Sequence, residues 1–124
     1  MIEESFYSEA APDRPILARV SDPERSADNR YWICNASLEG ADEVAEIEVH
    51  SEGQITVLML AFEWVRNTLD SLPESYRLNG EIPLNYAIAR HVPYSYGDDI
   101  IEKAEQYIDE LVAQRNREWQ AKRP

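Results

Sequence analysis

A single cysteine, Cys34, is all the thiol chemistry available to this chain. One cysteine excludes an intramolecular disulfide and any cysteine-based zinc site. Glycine is also scarce, four in 124 residues, and no Gly-rich loop of the kind that cradles phosphate is present. No serine stands in a G-x-S-x-G setting. The two histidines, His50 and His91, are far apart and fall on different expected elements. Basic residues are few: 12 Lys and Arg face 24 Asp and Glu, a formal charge of −12 at pH 7. Such a surface repels nucleic acid and anionic lipid, which need cationic side chains to neutralise phosphate, and it attracts a basic partner. No apolar run spans a bilayer. The opening residues, MIEESFYSEAAPDRP, carry neither the basic nor the apolar region of a secretory signal. The expectation is a soluble cytoplasmic protein with no catalytic residue set, no metal and no cofactor, and with neither nucleic acid nor membrane as a partner.

The hydrophobic content that is there, 44% of residues, suffices for one core. Its centre is the stretch from Ser51 to Pro73. Ile55, Leu58, Phe62, Val65, Leu69 and Leu72 recur at helical spacing, and Val57, Met59, Leu60, Ala61 and Trp64 make the rest of the cylinder apolar as well. That pattern predicts a core helix covered on more than one side. Ser51 with Gln54 reads as a capping box, and Pro73 ends the helix.

Before it, alternation predicts strands over 2–8, 16–20, 30–38 and 44–50, with 21–29 as a polar loop. In the third strand Trp32, Cys34, Ala36 and Leu38 face one way. Cys34 on that apolar face reads as a buried, inert thiol rather than a nucleophile. After Pro73 the chain loses its period through Gly97, with a turn signal at Asn79-Gly80 and a short extended piece over Leu84, Tyr86 and Ile88. A second helix runs from Asp98, with Asp98 or Asp99 as its cap and acids in its first turn. It carries Ile101, Ala104, Ile108 and Leu111 as a stripe and has bases near its end; its last residues, from Trp119, are expected to fray. The whole reads as one α+β domain over 1–124. An antiparallel β-meander of about three to five strands packs against the long central helix, with a second C-terminal helix.

Two surface features point to binding. Glu39, Asp42, Glu43, Glu46, Glu48 and Glu52 are six acids with no base between them. Of these, Asp42, Glu43, Glu46 and Glu48 would meet Lys or Arg on a partner. Tyr86, Arg90, Tyr94 and Tyr96 form a second group, of the residue types that dominate binding hot spots.

A small, strongly acidic α+β chain with the meander Tyr31-Trp32-Ile33-Cys34, the acidic strand Glu46 to Glu48 and a helix after it resembles the bacterial immunity proteins. The resemblance implies a non-enzymatic protein that neutralises a basic toxin domain by direct binding. Two other readings compete with it. One is a structural or adaptor homo-oligomer that uses the helix over 98–119 or an open strand edge. The other is a small ligand-binding domain with a pocket between the sheet and the loop over 75–97.

Overall fold

The computed structural model describes residues 1–40, 43–88 and 97–123, with Glu43 described in its backbone alone. The chain forms two compact units, Met1–Arg90 and His91–Pro124. In the first unit the elements are β1 (Ile2–Ser8), β2 (Ile16–Val20), β3 (Glu24–Arg25), β4 (Trp32–Gly40), β5 (Glu43–Ser51), α1 (Gln54–Asp70), β6 (Tyr76–Leu78), β7 (Ile82–Pro83) and α2 (Leu84–Ala87). The second unit holds α3 (Asp98–Ala121). The fold is α+β: an antiparallel sheet packed against a long helix, with a further C-terminal helix.

Among the described residues, seven strands share one sheet. β1, β2, β4 and β5 form the expected meander, and β6 returns to pair with the free side of β1. The sheet is therefore larger than expected. Two of the additional strands come from the segment after Pro73 that has no sequence period. There Asn79 (φ 52°) and Gly80 (φ 77°) close a tight β6–β7 hairpin. Positive φ at both central residues matches the right-handed twist of the flanking strands, which is why Asn-Gly marks such turns. The expected extended piece over Leu84, Tyr86 and Ile88 is instead the single helical turn α2, which buries Leu84.

The polar stretch 21–29, expected as a long loop, is loop and turn except for the two residues of β3, and it is tied to the sheet at Ser21 and over β3. β2 pairs Val20 with Ala36, whereas β3 pairs Glu24 with Ile33, so the β2–β3 side carries one extra residue. That is a β-bulge. Ser21 satisfies the interrupted ladder: its N–H donates to the Asn35 carbonyl (2.8 Å), and its hydroxyl accepts the Asn35 N–H (2.9 Å). Beyond β3, the buried Ser26 hydroxyl accepts the N–H groups of Arg30 and Tyr31 and donates to Asp28 Oδ1 at 2.6 Å. These bonds lower the Asp28 carboxyl below its ordinary range, the Ser26 hydroxyl being the largest cause and the Arg30 N–H the next.

The inner face of the sheet is Phe6, Ile16, Ala18, Val20, Cys34, Ala36 and Leu38, all buried. The pairings Ala18↔Leu38, Val20↔Ala36 and Phe6↔Ile16 place them on one side, as strand alternation requires. α1 lies on this face through Val57, Ala61, Val65 and Leu69, at strict four-residue spacing. Phe62 packs against this core together with Trp32, as the sequence predicts. The helix is not wrapped on all sides, however. Ile55 is 77% exposed and Met59 is also open, because the sheet and α2 reach only one side and the flanks. Nor is there a capping box. Ser51 completes β5, and Gly53 is the N-cap, with no side-chain bond. β-pairing of Ser51 with Trp32 overrides the local capping signal. At the edge of the core, the Arg25 guanidinium sits 4.8 Å from the Trp32 ring centroid, a cation–π contact.

α3 begins at Asp98 as expected, but neither aspartate caps it: Gly97 is the N-cap, with no side-chain bond, and Asp98 and Asp99 lie in the first turn. It runs regularly through Trp119 to Ala121 rather than fraying, and Trp119 is exposed.

The β2–β4 contact has one point with no room for a side chain. A Cβ at Gly40 would lie 2.8 Å from Ile16 Cγ1 and 2.9 Å from its Cα. Gly40→Ala is expected to cost about 1–3 kcal/mol by forcing the strands apart, read from urea denaturation midpoints. Asp28, whose folded-state pKa is depressed, stabilises the fold above the ordinary value of 3.8 and loses that contribution as pH falls through its lower folded value. Asp28→Ala should thus be less stable than wild type at neutral pH, with the two denaturation curves converging in acid.

Candidate functional site

Strand alternation that buries one face of the sheet presents the other. In the unit Met1–Arg90 this outer face carries Glu3 on β1, Arg19 on β2, Asn35, Ser37 and Glu39 on β4, and Val44, Glu46, Glu48 and His50 on β5. β5 pairs with β4 alone, so among the described residues it is a nine-residue edge strand.

The charges on this face are not equivalent. Arg19 lies between two carboxylates, with Nε 3.0 Å from Glu3 and Nη1 3.1 Å from Glu39. One cation thereby serves two acids at the centre of the sheet. Such part-exposed pairs contribute less than about 1 kcal/mol each, but they fix where charge is locally balanced. Glu48 reaches His50, with Oε1 2.6 Å from Nε2. An ionised carboxylate can only accept, so Nε2 carries the proton in that contact. The His50 ring in turn stacks on Tyr31, with centroids 4.8 Å apart and planes at 16°. Glu48 is therefore held at one end of a Tyr31–His50–Glu48 row. Glu46, exposed one pleat away, has no ion-pair partner among the described residues.

Asn35, Ser37, Arg19 and Ser21 join Glu46 and Glu48 in lining a depression of about 530 Å³ on this face. Met1 lines it as well, with its N-terminal ammonium paired to Asp22 at 2.8 Å, so the two carboxylates share the concavity with the Arg19 guanidinium, an amide and two hydroxyls.

Of the residues expected to bind a partner, the structure brings Glu46 and Glu48 together on one strand face. Tyr86 is 79% exposed on α2, beside β6 and β7 at the other end of the sheet, with β4, β2 and β1 between it and β5. The side chain of Glu43 and residues Asp42, Arg90, Tyr94 and Tyr96 lie outside what the structure describes. Strand alternation already sets Tyr31, Asn35 and Ser37 opposite Trp32, Cys34, Ala36 and Leu38, and puts His50 on the wet face with Glu46 and Glu48; sequence reading did not find Arg19 there, nor that these residues of separate strands share one surface. Their only signal is parity along strands whose mutual register is not written in the sequence.

A second depression, about 390 Å³, lies between the end of α1, β6 and α2. Its two cations are already committed. Arg66 donates to the Ile88 carbonyl at 3.1 Å, and Arg77 to the Glu81 carbonyl at 3.2 Å. Asp28 and Cys34 have displaced pKa values, and neither lines either depression. Among the described residues, no group of three or more His, Cys, Asp or Glu is placed to hold a metal ion, and no helix is long and apolar enough to cross a membrane. No family model matches the chain, and no curated protein or solved structure matches it either.

Cys34 is fully buried in the described structure, and its thiol donates to the Ser21 carbonyl at 3.1 Å. Burial pushes its pKa up, against a smaller lowering effect of the Ser21 hydroxyl. The thiolate is the reactive form, so burial and a raised pKa both suppress reaction. A thiol reagent should label the native protein only at its rate of opening and the urea-unfolded chain at once. Rapid stoichiometric labelling of the native protein would contradict this placement.

Proposed function

We propose that this chain is a non-enzymatic protein-binding module that engages a basic protein through the outer face of its sheet. Its sharpest form is an immunity protein of the bacterial cytoplasm that neutralises a basic toxin domain by direct contact. The observation that carries the reading is the pair Glu46 and Glu48, exposed side by side on a strand that is an edge among the described residues, and lining one depression. Glu46 lacks an ion-pair partner among the described residues, whereas Glu3 and Glu39 share Arg19. Charge on this face is thus partly offset at its centre and more open at its β5 border.

Physical chemistry favours a cationic partner there. A protein with twice as many acids as bases gathers positively charged surfaces by long-range attraction, which raises the association rate. The docked complex then depends on a few desolvated contacts. Glu48 is preorganised for that role by His50 and Tyr31, so little side-chain freedom remains to be lost when a partner cation arrives. The edge of β5 offers unpaired backbone groups alongside the carboxylates, which an extended partner segment could pair.

The direct test is an affinity pull-down from the native host at low and high salt. A basic protein retained at low salt and released as salt rises is the expected result. With that partner in hand, the double reversal Glu46→Lys/Glu48→Lys should weaken binding by about tenfold or more and flatten its salt dependence. Both side chains are exposed, so circular dichroism and the denaturation midpoint should be unchanged within about 0.5 kcal/mol. Unaltered affinity would remove these two carboxylates from the interface.

A further inference from the structure

α3 spans 24 residues, and none of them is buried. Ile108, Leu111, Val112 and Trp119 are each about half exposed or more, and Ile101 and Ala104 belong to the same side. At about 100° per residue these six fall within a single arc of about 100°. Their spacing through Ile101, Ala104, Ile108, Leu111 and Arg115 alternates three and four, as in the seam of a coiled coil. A helix this apolar along one side needs a cover.

The charges say which cover fits. Over Asp98–Glu110 the helix carries Asp98, Asp99, Glu102, Glu105, Asp109 and Glu110 against one base, Lys103. Over Leu111–Arg123 the balance reverses: Arg115, Arg117, Lys122 and Arg123 face the single acid Glu118. Within the helix these halves barely neutralise each other; the one ion pair among its described residues is Arg115–Glu118, at 3.5 Å in the basic half. We infer that α3 pairs with α3 of a second copy of this chain, antiparallel, so that each acidic half lies along the other's basic half. A parallel pair would set acid against acid and base against base over its whole length. The antiparallel pair is isologous, with the same stripe on both sides, and closes as a two-fold dimer. Near its middle it stacks Ile108, Leu111 and Val112 of one copy on those of the other. Arg115, the one charge in the seam, meets the acidic half of the partner helix and fixes the register, as a polar seam residue does in coiled coils. This inference rests on α3 alone, and neither it nor the proposed function depends on the other.

Sedimentation equilibrium of the full chain tests it. The wild type should be a dimer, and Ile108→Glu/Leu111→Glu should be a monomer with unchanged far-ultraviolet circular dichroism and melting temperature. Orientation is read from charge. Glu102→Lys/Glu105→Lys should raise the dimer dissociation constant about tenfold, because each lost contact occurs twice in the two-fold pair. Adding Arg115→Glu/Arg117→Glu to the same chain should restore it. A wild type that stays monomeric at every concentration would overturn the inference. So would a dimer indifferent to Ile108→Glu/Leu111→Glu, or one strengthened by the first charge reversal. A monomer whose melting temperature drops with Ile108→Glu/Leu111→Glu would identify the chain's own sheet unit as the cover, and would overturn it equally.

Discussion

Burial of four α1 side chains against the inner sheet face is the contact on which the first unit depends. Val57, Ala61, Val65 and Leu69 are almost wholly removed from water. Each of the larger three contributes on the order of 1.5–3 kcal/mol relative to exposure. The alanine is as telling as the larger residues. Its small side chain in mid-helix lets α1 lie close over the strands, where Ala18 and Ala36 are small as well. Without that contact neither layer is stable alone, since a sheet with one apolar face and a helix with one apolar stripe each need the other.

The same constraint shapes the functional surface. A two-layer unit leaves the far side of its sheet open, and alternation then fixes which residues stand on it. Because Cys34, Ala36 and Leu38 point inward, Asn35, Ser37 and Glu39 must point outward. Because β5 pairs in register with β4, Glu46 stands opposite Ser37 and Glu48 opposite Asn35. The depression on the outer face is thus a consequence of core packing on the inner one. Its acidity is a local matter as well. Arg19 offsets one of the two charges on Glu3 and Glu39, so the carboxylates without an arginine partner among the described residues of this face are those at the β5 border.

Polar groups inside the sheet are resolved with equal economy. The bulge between β2 and β3 breaks a ladder, and Ser21 mends it with its own N–H and hydroxyl. The same residue thereby satisfies Asn35, and its carbonyl accepts the Cys34 thiol. Ser26 does the same for the turn that follows, gathering two N–H groups and the Asp28 carboxylate. A stretch that reads as a free polar loop is held in place by two serines.

Much of this was legible beforehand, and the reasons differ by element. The strands over 2–8 and 16–20 and the face assignment of Trp32, Cys34, Ala36 and Leu38 followed from period-two alternation, because the pleat is a local property. The Asn79-Gly80 turn was legible too, since positive φ is a local demand on residue type. The helix start at Asp98 likewise needs only nearby residues. What lay beyond the sequence depends on long-range pairing. Ser51 looks like a helix cap, but its pairing with Trp32 makes it strand. Ile55 and Met59 look like core, but they are exposed, on the side of α1 away from the sheet of their own unit. The segment over 76–83 has no period because its strands are two or three residues long, too short to express one. His50 shares the wet face of its own strand with Glu46 and Glu48 by alternation, but Arg19 and Tyr31 join the acidic face only through register, which a single chain's pattern does not encode. The sequence by itself determined the α+β class, the central helix, the meander and the excess of acid. Only the tertiary structure decided which acids are balanced, which apolar residues stay open and which side chains share a surface, because those depend on partners distant along the chain.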